Sequence, residues 1–306
     1  MNNKSYIVCA IFGGLGNQIL QYSFAKSLAL KLKCELYLDL SFTKLKFPFA
    51  KYKRTKGNQF KLSFFKIKNV KFFYNFFNIN FKYVKFLRFF NSHIILNTLS
   101  KKKINSFYYE DFFNSLNKEI DLSNFKNNSY YYGYWQKILI NKYLDNNLFK
   151  EFVLNIVTKK INQYKKKINK KCVAIHIRGG DYLNEVEKRR KVFNENYYKK
   201  SIEIFKKKIK KPVFYIFTDD MKYANKIIKK INFSKNFIFI NKYKFKDVEE
   251  FYLMKQFKNF IISNSTFSLS AAFFSNKKGK IIISPKLWLT RYKNNLIKKN
   301  KNNLFL

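Results

Sequence analysis

Arg178 is one of six arginines among 63 basic residues. It stands two positions after His176 and three before Asp181 in the stretch HIRGGDY, residues 176–182. On an extended chain, residues two apart point to the same side, so His176 and Arg178 are placed to face one ligand. A guanidinium presents a planar pair of donors that matches a phosphate. Asp181 either orients Arg178 or accepts a proton. The bland alternative is a surface Arg–Asp pair, which fits poorly with the apolar run before it and the glycine pair beside it.

Three other stretches carry polar groups of the same kind. GGLGNQ, residues 13–18, combines glycines that permit a tight turn and close backbone approach with a following helix start that favours an anion. A plain strand-to-helix turn explains the glycines equally well, while Asn17 and Gln18 tilt it towards polar recognition. In FTDDMKYA, residues 217–224, Thr218, Asp219 or Asp220 suits a helix cap. The two carboxylates could instead hold a divalent ion through a nucleotide diphosphate, or Asp219 could touch a sugar or base. ISNSTFSLSAAFF, residues 262–274, sets Ser263, Asn264, Ser265 and Thr266 at the start of a small-residue helix. One cap needs only one such residue, so four of them point to an anion site made of hydroxyls and free backbone N–H groups.

The elements that must position these groups are legible from periodicity. A continuous apolar run over residues 6–12, the GGLGNQ turn, a helical face of Leu20, Phe24, Leu28 and Leu32, and the strand ELYLDL form a βαβ opening. From residue 172 strands and helices alternate again, with predicted strands at 172–177, 213–218, 237–240, 260–263 and 280–285. Predicted helices cover 195–210, 248–257 and segments starting near 220 and 266. Such alternation predicts parallel sheets. The fold class is α/β, with two Rossmann-like domains, residues 1–150 and 151–306, whose parallel sheets face a cleft. The lysine- and aromatic-rich stretch 41–170 reads as mostly helical, broken by a strand or tight turn at YYYGYWQ, residues 130–136. Ligands of open α/β sheets bind at the carboxyl ends of strands, where all four polar stretches fall. Together they describe a site for a pyrophosphate-containing ligand clamped by Arg178 and the Ser265/Thr266 helix start.

A net charge of +45 invites a nucleic-acid partner. The charge is almost all lysine, spread through every segment, whereas phosphate clamps and groove readers favour arginine. No nucleic-acid partner is therefore expected, and attraction to an anionic membrane surface fits dispersed lysines better. Cys9, Cys34 and Cys172 lie in apolar contexts without metal spacing and read as three buried thiols of a reducing compartment. The apolar run at the N-terminus is too short for a leader or a membrane span. The aromatic stretch 70–96, interrupted by Lys71, Lys82, Lys85 and Arg88, reads as helices packing aromatics. These features predict a cytoplasmic protein, with peripheral contact at the inner membrane face.

The motifs GGLGNQILQYSFAKSLA, YYGYWQ, HIRGGDY, FTDD and EEFYLMKQFKNFIISNSTFSLSAAFF occur in that order along the chain. In them the chain resembles the bacterial alpha-1,2-fucosyltransferases, within the wider group that includes alpha-1,6 and protein O-fucosyltransferases. The resemblance implies a GT-B-like fold with an N-terminal acceptor-side domain and a C-terminal domain that binds GDP-fucose. It implies inverting transfer to the 2-hydroxyl of a galactoside in a surface polysaccharide or lipid-linked precursor, without a metal or other cofactor. It places Gly14, Gly16 and Asn17 beside donor and acceptor, and His176 and Arg178 on the diphosphate. Glu250 aligns with an acidic donor contact, and Thr266 and Phe267 with a helix-start contact, beside Asp219, Asn264 and Ser265. The family usually carries a second arginine where this chain has Gly179. Asp181 and Glu250 are the candidates for a base, and Tyr134 and Trp135 offer rings for stacking on acceptor sugars or for the core. A different class of reading, a non-catalytic polyanion-binding protein, rests on the +45 charge alone; a fucosyltransferase of other linkage or acceptor is the nearer alternative.

Overall fold

The computed structural model describes residues 4–43, 59–74, 76, 104–110, 116, 119–183, 193–232, 236–289, 292–293, 296–297 and 302–306. By its contacts the chain divides into two compact units, Met1–Glu151 and Phe152–Leu306.

In the first unit, β1 (Tyr6–Ala10), helix α1 (Leu15–Leu32) and β2 (Glu35–Asp39) form the expected βαβ opening. They are joined by β3 (Lys71–Phe73), β4 (Ser106–Glu110) and β5 (Ser129–Gly133), giving the order β3-β2-β1-β5-β4 with every pair parallel. β1 is almost wholly buried because parallel strands are covered on both faces. Helix α1 is buried nearly all round, rather than along one stripe. The helical reading of 41–170 fails over its described part, which holds three strands, several 3-10 turns and only the short helices α2 (Leu148–Glu151) and α3 (Lys159–Lys167). Tyrosines and phenylalanines there stack across β4 and β5 instead: Phe107 on Tyr130 at 5.4 Å, Tyr108 on Tyr131 at 4.9 Å and Tyr109 on Tyr132 at 5.9 Å. Such cross-strand pairs stabilise a sheet by roughly 0.2–1 kcal/mol each. Most of the stretch 70–96 lies outside the described residues.

The second unit runs β6 (Cys172–Ile177), α4 (Glu195–Lys208), β7 (Val213–Thr218), α5 (Met221–Ile231), β8 (Phe237–Phe239), α6 (Asp247–Met254), β9 (Asn259–Ile261), α7 (Thr266–Phe273) and β10 (Ile281–Ser284). A small antiparallel pair, β11 (Leu287–Leu289) and β12 (Tyr292–Lys293), precedes β13 (Asn303–Phe305). The sheet order is β13-β10-β9-β6-β7-β8, again all parallel. Val173, Ile175 and Ile177 of β6 pack with Tyr198, Ile202 and Phe205 of α4 and Ala224 and Ile227 of α5. Cys9 and Cys172 are buried, whereas Cys34 is half-buried. Among the described residues no helix is long and apolar enough to cross a membrane.

Candidate active site

From β6 the chain of the second unit winds outward through β7 and β8, then returns to the other side of β6 as β9. The winding reverses between β6 and β9, and ligands of open α/β sheets bind in the crevice at such a point. The two strand ends carry His176 and Ser263, whose Nδ1 and Oγ lie 2.7 Å apart. Helix α4 steadies both ends: the Tyr198 hydroxyl donates to the His176 carbonyl at 3.2 Å, and the Tyr197 hydroxyl to the Ile262 carbonyl at 2.6 Å. His176 is 4% exposed and its ring lies 5.6 Å from that of Phe267. Burial, helped by the Arg178 charge, pushes its pKa down to about 3, so the imidazole is neutral near pH 7 and can offer a ligand only a neutral ring.

Arg178 leaves the end of β6 with its guanidinium 2.6 Å from an Asp219 carboxylate oxygen and its Cζ 4.8 Å from the centre of the Tyr182 ring. The other Asp219 oxygen accepts the Gly179 N–H at 3.0 Å. Asp220 is the cap of α5: it accepts the Tyr223 N–H at 2.9 Å and the Gly180 N–H at 3.4 Å. The adjacent aspartates thus divide the work, one orienting the arginine and one starting the helix. Asp181 falls in the 3-10 turn Gly180–Leu183, and its side chain lies outside the described residues. Among the described residues no three His, Cys, Asp or Glu side chains gather as metal ligands.

Gly179 is a packing position. A Cβ there would stand 2.9 Å from the Asp220 Cβ and 3.1 Å from the Tyr223 Cβ, so the α5 start lies directly on the glycine backbone.

Glu250, in the first turn of α6, accepts from the Asn241 amide at 3.3 Å, and the same amide nitrogen donates to the Thr218 carbonyl at the end of β7. Burial raises the Glu250 pKa to about 8, with the negative charges of Asp247, Asp219 and Glu249 adding to it. Beyond β9, Asn264 is buried and its carbonyl accepts the Tyr182 hydroxyl at 3.3 Å. Ser265 stands at the cap position of α7 without a side-chain cap bond, leaving Thr266 and Phe267 at the first turn. Arg178, Asp219, Asn264 and the α7 start therefore meet around Tyr182 and His176.

The first unit has the same architecture at its own reversal, between β1 and β5. Gln21 joins the two strand ends, accepting the Phe12 N–H at 3.1 Å and donating to the Gly133 carbonyl at 3.2 Å. In the glycine loop, Gly13 is the residue that must be glycine: its φ is +76° and a Cβ would lie 2.8 Å from the Asn17 amide nitrogen. A Cβ on Gly14 would meet nothing within 4 Å; Gly16 is buried inside α1 and Asn17 is half-buried. Gln18 is wholly buried, donating to the Gly13 and Gln59 carbonyls and accepting the Lys61 N–H, which gives it a structural task. Asp39 at the end of β2 is likewise enclosed, accepting from Ser41 and from the Tyr130 hydroxyl at 2.6 Å.

The profile of Glycosyl transferase family 11 matches residues 6–304. The chain belongs to that family. Over 301 residues this family 11 chain is 29% identical to an alpha-1,2-colitosyltransferase of Escherichia coli, covering 94% of this chain and 93% of the relative. Over 289 residues it is 29% identical to the O-antigen biosynthesis glycosyltransferase WbnK of Escherichia coli, covering 90% and 92%. Its fold is similar to that of NodZ, an alpha-1,6-fucosyltransferase solved from crystals soaked with GDP-fucose, with a TM-score of 0.50 at 12% identity and coverage of 89% and 93%. The protein is a glycosyltransferase with the GT-B-like fold expected from its motifs.

Tyr197, Tyr198 and Asn241 support the site of this glycosyltransferase but escaped the sequence reading. They look like ordinary core or loop residues, and the strand-end carbonyls they hold, of His176, Thr218 and Ile262, lie 22 to 65 positions away. Trp135 is also placed differently from a stacking ring open to sugars: it is 3% exposed and stacked on Phe24 at 4.0 Å. The chain has two histidines, so the state of His176 is directly measurable. Its imidazole resonances should stay unchanged from pH 8 to pH 5, whereas an ordinary imidazole titrates near 6.5. Because the folded pKa is depressed, its contribution to stability is complete above about 6.5 and is lost as pH falls towards 3. Titration of both histidines near 6.5 would contradict the buried, neutral assignment.

Proposed function

We propose that this family 11 enzyme transfers fucose, with inversion, from GDP-fucose to the 2-hydroxyl of a galactoside in a surface glycan. The observation that carries this reading is Arg178, the arginine held by Asp219 and Tyr182 at the reversal point of the second sheet. Departure of GDP builds negative charge on the diphosphate, and donors fixed in place beforehand stabilise it best. Arg178 and the α7 start, with Asn264, Ser265, Thr266 and Phe267, are the groups suited to that task, so no metal is required. Glu250 takes the proton of the acceptor hydroxyl in its ionised form: with a pKa of about 8 that carboxylate is a stronger base than an ordinary one, and transfer should rise with pH up to about 8. Asp219 is instead engaged by Arg178 and by the Gly179 N–H. The 1,2-linkage is supported by the colitosyltransferase relative, and a glycan of the cell surface by the O-antigen relative. The lysines would hold the enzyme at an anionic membrane carrying a lipid-linked acceptor. Family membership sets aside the polyanion-binding reading.

The test is incubation with GDP-fucose and galactose-terminated acceptors, with and without a chelator, followed by determination of the product linkage. The expected product is an alpha-1,2-fucoside formed at the same rate with chelator present. Transfer of colitose but not fucose would replace the donor, another linkage would replace the acceptor position, and loss of activity with chelator would overturn the metal-free mechanism.

A further inference from the structure

Ser263 is the one polar residue of the ISNST stretch that the proposed chemistry does not use. It is wholly buried just past β9. It caps no helix, since Ser265 holds the cap position of α7. The register of the sheet explains what it meets instead. Ile175 of β6 stands opposite Ile261 of β9, so the next residues along each strand end bring His176 and Ser263 side by side. Adjacent tyrosines of α4 fix both backbones there, Tyr198 through the His176 carbonyl and Tyr197 through the Ile262 carbonyl.

The contact decides where the imidazole carries its proton. Ser263 Oγ and His176 Nδ1 lie 2.7 Å apart, and among the described residues neither side chain makes another hydrogen bond. A ring proton on Nδ1 would donate to Oγ and leave the buried serine hydrogen without an acceptor. With the hydroxyl donating to Nδ1, the serine hydrogen is paired and the ring proton sits on Nε2. An unsatisfied buried donor is disfavoured by roughly five- to 150-fold, so the Nε2–H form prevails. Nε2 has no partner among the described residues, yet it is not one of the enclosed unpaired atoms. The small part of His176 that stays open therefore reaches it. A ring that burial keeps uncharged serves an anion only through an N–H, whereas a bare nitrogen lone pair repels one. We propose that Ser263 is a positioning residue: its hydroxyl donates to Nδ1, holds the ring proton on Nε2 and makes His176 a hydrogen-bond donor to a diphosphate oxygen beside Arg178. This rests on the GDP-fucose reading and adds the residue that sets the tautomer of His176.

The experiment starts from the wild-type chain with its two histidines labelled with heavy nitrogen, and a His93→Gln variant assigns the signals. Nitrogen magnetic resonance should show His176 protonated on Nε2 alone, and GDP should shift the Nε2 signal while Nδ1 keeps its acceptor position. A ring protonated on Nδ1 overturns the proposal, and this result needs no variant that might misfold. Affinities for GDP and for guanosine, which has no phosphate, are then compared in wild type, Ser263→Ala, His176→Phe and the double variant. Ser263→Ala should weaken GDP about three- to tenfold, keep guanosine within about twofold and mix the two tautomers. Ser263→Thr, which keeps a hydroxyl, should recover most of the loss. In the His176→Phe background the serine change should cost nothing further, because its effect runs through the ring. A loss that persists there, or that extends equally to guanosine, assigns Ser263 to bracing the strand ends and overturns the proposal. The wrong tautomer in a protein that binds GDP sinks this inference alone. A wild type that binds no GDP sinks the GDP-fucose reading and the donor role together, so the two failures are distinguishable.

Discussion

Replacing Arg178 by alanine is expected to lower turnover about 10²–10³-fold, or roughly 3–4 kcal/mol of transition-state stabilisation, the size seen when one preorganised donor to a developing charge is removed. The expectation follows from how the guanidinium is held. Asp219 grips one end at 2.6 Å and Tyr182 lies against one face, so the group is ordered before a ligand arrives and reorganises little during the reaction. Arg178→Lys should recover only a small part of the loss, because an ammonium is a point charge that cannot present two parallel donors. Arg178 is partly exposed, and an ion pair of that kind contributes little to stability once solvent screening is counted. The variants should therefore unfold near the wild-type denaturant concentration. Turnover within about threefold of wild type in Arg178→Ala would remove Arg178 from the mechanism.

Installing arginine at Gly179 should cost stability and bring no gain in rate. The resemblance to the fucosyltransferases makes Gly179 look like a missing second arginine. The fold gives a reason for glycine at this position. The Asp220 and Tyr223 side chains approach so closely that any Cβ would sit 2.9 and 3.1 Å from their Cβ atoms, which belong to the cap and first turn of α5 and cannot swing aside. Gly179→Arg must push α5 away or shift the loop that carries Arg178. Overpacking of that kind costs about 1–3 kcal/mol and displaces the Asp219 contact to the Gly179 N–H. Gly179→Ala isolates the steric part and should lower the denaturation midpoint by most of the same amount. Gly179→Arg with wild-type stability and faster transfer would show instead that the glycine is a loss without compensation.

Periodicity located every strand of the second sheet that borders the site, with β6 and β7 to the residue, because burial on both faces and helix amphipathicity are written locally. Over 41–170 lysine and aromatic residues mix without a clear period, so periodicity does not mark the strands there. What decided strand there was the stacking of Tyr130, Tyr131 and Tyr132 on residues 23 positions earlier, invisible to any local window.

The sequence by itself determined the two α/β units, the family and the four polar strand ends. Turns, apolar runs and helix starts depend on neighbours along the chain, so they can be read there. The tertiary structure alone decided which carboxylate holds Arg178, since Asp219 reaches it from just past the end of β7, 41 residues on. It also decided that His176 is neutral, through burial and Ser263 87 residues away, and that Glu250 is raised to about 8. It left Gln136 enclosed, its amide without a hydrogen-bond partner among the described residues. A pKa, an ion pair and an unpaired polar group are set by what the sheet order brings together and what water is excluded from, and neither is encoded in the spacing of residues along the chain.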